Sequence, residues 1–273
     1  MRADADAKIG GTLEPVGDDG ETRIHLCGHL TARLRGARVE EGLPGRQGRL
    51  LLAYLAANRM RSMPRAELMH VLWPEAAPAA AESGLAALLA KLRRALGDAT
   101  LQGKHELRLA LPADAWVDVE AARDGLHRAE SASGVKDWAR AWGPARVAAH
   151  IATRGFMPGY DGPWVESVRR EMNDCATRAH EYVARSGLGL GGAEIATAER
   201  AARRVTELAP LRETGYRLLM LALVARGDSG EALLVYERLR TLLREELGAS
   251  PGTLMQKLHR EILKGNDLPG LME

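Results

Sequence analysis

Residues 82–97 have the sequence Glu-Ser-Gly-Leu-Ala-Ala-Leu-Leu-Ala-Lys-Leu-Arg-Arg-Ala-Leu-Gly. Its leucines recur at the spacing of one buried stripe on an α-helix; they are Leu85, Leu88, Leu89, Leu92 and Leu96. At about 100° per residue, the opposite face collects Ser83, Ala87, Ala90, Lys91 and Arg94. A helix with such a cationic outer face is typical either of a solvated protein surface or of a helix in the major groove of DNA. The neighbouring sequence has to distinguish these two interpretations.

The distribution of charge favours nucleic acid. The net charge of the 273 residues is only +2, but residues 22–112 hold fourteen Lys and Arg against seven Asp and Glu, a balance of +7. Residues 1–21 carry −4 and residues 113–273 carry −1. A basic segment of this size joined to a near-neutral one indicates a nucleic-acid-binding domain followed by a domain of another kind.

Composition limits the class of protein. With 46% hydrophobic and 27% charged residues, the chain is typical of a globular protein of two domains. It has no apolar run of about 18 residues and no signal-peptide pattern, which predicts a cytoplasmic protein without a membrane span. Cys27 and Cys175 are far apart in sequence, which predicts reduced thiols. Residues 1–21 are acidic and Gly-rich and are predicted to be a disordered tail.

The chain before the first helix alternates as a β-strand does. From residue 22 to residue 30, apolar side chains alternate with His25, Cys27 and His29. A turn at Gly36–Ala37 would then return the chain as a second strand. The three alternating side chains could ligate a metal, but a structural site normally needs a fourth ligand. We therefore predict strands here and no metal site.

Three helices and a hairpin follow these strands. The apolar periodicity and the helix-breaking Pro and Gly residues predict helices at residues 46–57, 65–73 and 82–97. A hairpin whose tip is the Gly103–Lys104 turn is predicted to follow them. The order of strands, three helices and hairpin predicts a winged helix-turn-helix. Cations at the helix starts and on the hairpin are the predicted phosphate contacts; they are Arg46, Arg65, Lys104 and Arg108.

Beyond residue 112 only helices are predicted, with Asp118 as the N-cap of the first. Their lengths of about 12–20 residues suggest stacked antiparallel pairs, and Ala232-x₃-Tyr236 fits part of a tetratricopeptide unit. The predicted fold class is therefore mostly α. A small N-terminal α+β domain, a winged helix-turn-helix, occupies residues 22–112, and an all-α tetratricopeptide-like helical repeat domain occupies residues 113–273.

Two motifs resemble enzyme sites by their letters alone. Gly187-x-Gly189-x-x-Gly192 matches a dinucleotide-binding pattern, but a helix predicted to end at Ser186 precedes it where a strand is needed, so we predict an inter-helix loop. Gly227-Asp228-Ser229-Gly230 resembles the loop of a serine nucleophile, yet it lies between two helices. The sequence predicts no catalytic residues, no cofactor and no enzyme.

Several segments resemble the Streptomyces antibiotic regulatory protein family. They are Leu51-Leu52-Ala53-Tyr54-Leu55, Leu72-Trp73-Pro74, Lys91-Leu92-Arg93-Arg94-Ala95-Leu96-Gly97, Ala209-Pro210-Leu211-Arg212-Glu213 and Glu245-Glu246-Leu247-Gly248-Ala249-Ser250-Pro251. The resemblance covers about residues 22–264. It implies an OmpR-type winged helix, a bacterial transcriptional activation domain, double-stranded DNA bound as direct repeats by two protomers, and RNA polymerase as a partner.

The outer face of the 82–97 helix leaves specificity open. Ala86, Ala87 and Ala90 can contact thymine methyl groups but cannot distinguish hydrogen-bond donors from acceptors on base edges. Base specificity is then either low or supplied by DNA shape and by the hairpin. The alternative function is a helical-repeat adaptor that binds proteins and whose winged helix no longer reads DNA.

Overall fold

The computed structural model describes residues 20–97 and 100–265, so the predicted tail lies almost wholly outside the described residues. In chain order the first half contains β1 (Arg23–His25), β2 (Thr31–Leu34), β3 (Ala37–Arg38), α1 (Gly45–Ala57), β4 (Met63–Pro64), α2 (Arg65–Leu72), α3 (Ala81–Leu96), β5 (Leu101–Gln102), β6 (Glu106–Leu109) and β7 (Trp116–Val117). The second half contains α4 (Asp118–Gly134), α5 (Trp138–Ala152), α6 (Pro163–Leu190), α7 (Ile195–Leu208), α8 (Glu213–Ala225), α9 (Ser229–Leu247) and α10 (Thr253–Leu263).

The N-terminal sheet has the strand order β3-β2-β1-β7, with β1 antiparallel to β2 and parallel to β7. The predicted alternation over residues 22–30 is wrong beyond His25, because the chain reverses between β1 and β2, where Gly28 has φ +84°. The next turn lies at Arg35–Gly36, one residue earlier than predicted. Both of its residues have positive φ (+50° and +82°), as a two-residue turn between twisted antiparallel strands requires.

The three helices and the hairpin form the predicted winged helix. α1 buries Leu51, Leu52 and Leu55, and α2 buries Leu68. The hairpin of β5 and β6 is extended by β4, whose Met63 pairs with Leu107 of β6. Strand β4 was not predicted because two residues are too few to show a period of two.

Helices α4 to α10 pack mainly against their neighbours in sequence, which confirms the helical-repeat class. The predicted end of α6 at Ser186 is wrong, since the helix continues to Leu190. A Cβ atom on Gly189 would lie 2.4 Å from Cδ1 of Trp138, and one on Gly187 would lie 2.9 Å from the Cβ of Ala198. These glycines are therefore packing positions that let α5 and α7 approach α6 closely.

The two halves of the chain share one hydrophobic core. β7 lies just beyond the predicted boundary at residue 112 and completes the sheet of the first half. The loop between α5 and α6 also contacts the chain just after β1, because Cys27 forms an isolated β-bridge with Phe156. Trp164 of α6 lies between rings from both halves, with its centroid 4.8 Å from Tyr54 and 5.4 Å from Phe156.

Asp118, at the start of α4, links the two halves of the chain by hydrogen bonds. Its buried carboxylate accepts the backbone N–H groups of Leu26 (2.9 Å), Cys27 (2.8 Å) and Val119 (2.8 Å). Burial raises the pKa of Asp118, and the N–H donors from Cys27 and Leu26 oppose that rise. The predicted capping role is wrong, because Val117 occupies the N-cap position of α4. The side chain binds the backbone of Leu26 and Cys27 in the other half and that of Val119 in its own helix.

Candidate nucleic-acid interface

Helix α3 has the two faces predicted from its leucine spacing. Leu85, Leu89, Leu92 and Leu96 are buried, each at most 7% exposed, and Leu88 is partly buried against the same core. Fully burying one leucine side chain stabilises a fold by about 1.5–3 kcal/mol. The stripe therefore fixes the rotation of the helix about its axis, and with it the direction of the outer face.

All five residues predicted for the outer face are exposed; they are Ser83, Ala87, Ala90, Lys91 and Arg94. The Ser83 hydroxyl donates to the carbonyl of Ala80 at 2.9 Å. No hydrogen bond or ion pair with another described residue holds the side chain of Lys91 or Arg94. Two cations on this helix face are thus available to an external anion.

The hairpin of β5 and β6 adds a second cationic element beside α3. Lys104 at its tip and Arg108 on β6 are both exposed, and neither side chain forms an ion pair or a hydrogen bond with another residue of the ranges 20–97 and 100–265. Gly103 has φ +89°, and a Cβ atom there would lie 1.8 Å from the carbonyl oxygen of Glu106. The tight turn that presents Lys104 therefore requires glycine.

Arg93 joins the hairpin to α3, a role that the sequence did not suggest. Its guanidinium donates to the carbonyl of Leu101 at 3.3 Å and to that of Gly103 at 2.6 Å. The two cationic elements are thus held in a fixed relation. The acceptors are main-chain carbonyl groups, which every residue has, so no side-chain pattern in the sequence could have indicated the contact.

The remaining two predicted phosphate contacts are engaged within the protein. Arg65 donates to the Glu82 carboxylate, with its closest contact at 2.8 Å. Arg46 donates to the carbonyl of Gly159 and to the Asp161 carboxylate at 3.2 Å, and its guanidinium lies 4.6 Å from the Tyr160 ring centroid. The structure therefore does not bring Arg46 to the outer face of α3 but places it against the α5–α6 loop.

The described part of the chain contains no group of three or more His, Cys, Asp and Glu that could hold a metal ion. Of the three side chains considered for a metal, His25 is partly buried, Cys27 is buried and His29 is exposed. No helix in the ranges 20–97 and 100–265 is both long enough and apolar enough to cross a membrane.

Residues 117–263 match the model of the bacterial transcriptional activator domain, which is more than half of the chain. The chain belongs to this family. The bacterial transcriptional activator domain coincides with α4 to α10 and begins where β7 ends. This domain follows a winged helix, and the chain is similar to the regulators AfsR and RedD of Streptomyces coelicolor. Together these findings confirm the predicted membership in the Streptomyces antibiotic regulatory proteins.

Named regulatory proteins match almost the whole chain. The regulatory protein AfsR of Streptomyces coelicolor is 30% identical over 259 residues, which are 94% of this chain and 25% of AfsR. The chain thus spans about a quarter of the length of AfsR. The transcriptional regulatory protein MoaR1 of Mycobacterium tuberculosis is 23% identical over 256 residues, 90% of this chain and 80% of MoaR1.

A solved structure supports the fold. The structure of Mycobacterium tuberculosis EmbR in complex with a low affinity phosphopeptide superposes with a TM-score of 0.75 at 22% identity. The superposition covers 92% of this chain and 66% of the EmbR chain. At this identity the likeness concerns the fold alone, and it confirms a winged helix followed by a helical domain.

Proposed function

We propose that this chain is a DNA-binding transcriptional regulator, an activator that binds direct repeats near promoters and contacts RNA polymerase through its helical domain. The family and the names of its relatives support this function and do not favour the adaptor alternative. The chain would act on double-stranded DNA in the cytoplasm, with a second copy of itself on the neighbouring repeat.

One observation carries the DNA-binding part of the proposal. The exposed cations of α3 and of the hairpin have no carboxylate partner among the described residues, whereas many other arginines of the protein do. A buried leucine stripe on one side and the Arg93 contacts on the other hold these cations in place. Unpaired cations on a rigid helix and an adjoining hairpin are what binding to a phosphate backbone requires.

The proposed mechanism assigns a role to each predicted residue. Ser83, Ala87 and Ala90 face the base edges, and Lys91 and Arg94 contact bases or flanking phosphates. Lys104 and Arg108 bind phosphates from the hairpin; Arg65 and Arg46 can follow only by leaving their carboxylate partners. Exposed ion pairs contribute about 0–1 kcal/mol, so exchange of Glu82 or Asp161 for a phosphate costs little.

A binding titration on random-sequence duplex DNA at several salt concentrations tests the proposal. If all four unpaired cations neutralise phosphates, log K falls with log [salt] with a slope of about −3.6. Lys91→Ala and Arg94→Ala should each make that slope shallower by about 0.9 if the replaced side chain contacts only phosphate. If either reads guanine, the loss is about 1–3 kcal/mol and depends on sequence.

Lys257→Ala provides a matched control, because Lys257 is exposed on α10, far along the chain from α3. The affinity of this variant for DNA should equal that of the wild type. If the wild type does not bind DNA, or binds it independently of salt, the proposal is refuted and the adaptor function is favoured. Unchanged slopes in both α3 variants would show that this face does not meet DNA.

A further inference from the structure

A concave cavity of about 800 Å³ lies where the N-terminal sheet meets α5, α6 and α7. Apolar side chains form much of its wall, including Trp116 of β7, Ile151 of α5 and Val183 of α6. Cavities of roughly 300–1,000 Å³ with mostly apolar walls and a few polar groups are the usual form of small-molecule sites. Neither the fold nor the proposed DNA contacts assign a role to this one.

The charged groups that line the cavity are all basic. Arg146, Arg154 and Arg200 line it, and no Asp or Glu does. Arg200 donates to the Thr197 hydroxyl at 2.8 Å, and the guanidinium of Arg146 lies 5.4 Å from the Trp142 ring centroid. Within the described ranges, none of the three guanidinium groups has an ion pair. A cleft of one sign with apolar walls concentrates the electric field and attracts an anion.

Two imidazole groups at the cavity have a buried nitrogen without a partner. The Nδ1 atoms of His25 and His180 are buried and form no hydrogen bond with any described residue. The Thr153 hydroxyl donates to the carbonyl of Ala149 and lies 3.2 Å from Nε2 of His180. Its oxygen can therefore only accept from Nε2–H, which leaves Nδ1 of His180 as an acceptor. A buried acceptor without a donor costs about 1–3 kcal/mol, so the fold carries this cost beside the cavity.

The imidazoles do not supply the positive charge. Burial lowers the pKa of His25 and of His180, so both are mainly neutral at pH 7. The carboxylates that act on them are Asp118 and Glu207 respectively, and neither lines the cavity. The attraction for an anion therefore comes from the three arginines.

We propose that this cavity binds a small organic anion with a flat apolar body. The body packs against Trp116 and Ile151, and a carboxylate, sulfonate or phosphate group binds Arg154 and Arg200, with Arg146 at the rim. Because the walls come from β1 and β7 on one side and from α5 to α7 on the other, the ligand contacts both halves of the protein. The site is independent of the proposed DNA-binding face.

Two fluorescent probes with the same ring system test this site on the full chain. 8-Anilino-1-naphthalenesulfonate carries a sulfonate, and N-phenyl-1-naphthylamine is its uncharged counterpart. The sulfonate probe should bind with a stoichiometry of one and at least about tenfold more tightly than the uncharged one, because a hydrogen bond to a charged group contributes that much. Isothermal titration calorimetry gives both constants.

Variants locate the bound probe. Arg154→Gln and Arg200→Gln should each weaken binding of the sulfonate probe about tenfold, and Arg170→Gln, an exposed arginine on α6 outside the cavity, should not. Thermal unfolding followed by circular dichroism should be unchanged in all three, since no ion pair is removed. No binding of the sulfonate probe, equal affinity for the two probes, or unchanged affinity in both cavity variants would each overturn the proposal.

Discussion

Replacing Asp118 with alanine should destabilise the whole chain and not only the helix that Asp118 begins. The carboxylate accepts three backbone N–H groups at 2.8–2.9 Å, and the residues that donate them, Leu26, Cys27 and Val119, are fully buried. Two of these donors, Leu26 and Cys27, directly follow β1, so one truncation removes the hydrogen bonds that join the end of β1 to α4.

The magnitude follows from the groups that would lose their partner. A buried N–H group without an acceptor costs about 1–3 kcal/mol, so three such groups cost about 3–9 kcal/mol. Removal of the carboxylate also removes the cost of burying its charge, which the raised pKa of Asp118 reflects. This gain offsets part of the loss, and water entering the vacated space offsets more. We expect a net loss of about 3–5 kcal/mol, in the lower part of the range for three unpaired N–H groups.

Urea unfolding followed by tryptophan fluorescence measures this loss, because Trp116 and Trp164 lie at the junction. Asp124→Ala is the matched control: Asp124 is an exposed residue of the same helix, 3.3 Å from Arg128, and its loss should cost at most about 0.5 kcal/mol. Asp118→Asn keeps the size and one carbonyl acceptor and should fall between the two. A loss below about 1 kcal/mol in Asp118→Ala would refute the assigned role.

Three further expectations concern the core, the pH response and the operator. Leu89→Ala should cost about 2–5 kcal/mol in urea unfolding, and an unaltered midpoint would mean that Leu89 is not packed as described. Burial lowers the pKa of His180 below 6.5, so the neutral imidazole stabilises the folded state above that pH and this contribution is lost on acidification. The melting temperature should therefore fall more steeply between pH 7 and pH 5 in the wild type than in His180→Gln. Parallel curves for the two proteins would contradict this. If two copies bind direct repeats cooperatively, a 5-bp insertion between half-sites should abolish cooperativity and a further half turn should partly restore it, because one turn is about 10–11 bp; footprints insensitive to spacing would show independent binding.

The sequence predicted what depends on local periodicity. The leucines of α3 repeat from Leu85 to Leu96, about three turns, so both faces of that helix could be assigned, and the five outer residues are exposed as expected. A pattern of this length is set by burial along one helix and needs no knowledge of the partners.

Contacts between distant segments could not be predicted in the same way. Arg46 has the charge and the helix-start position of a phosphate contact, but its carboxylate partner, Asp161, is 115 residues away in sequence. Gly187 and Gly189 have the local signature of a loop, and only the neighbouring Trp138 and Ala198 explain why a helix contains them. Gly28 interrupts the predicted strand because the chain must turn there to meet Gly155, whose carbonyl accepts its N–H at 2.7 Å.

The shared sheet determines how this architecture can be recombined. A chimera that exchanges partners at residue 112 would take β1 from one parent and β7 from the other, and it would separate Asp118 from the N–H groups that it binds. A crossover beyond Trp164 keeps β7, α4, α5 and the α5–α6 loop with the sheet that they contact. The transplantable unit is therefore larger than the winged helix, and it carries with it the angle at which the later helices leave the winged helix.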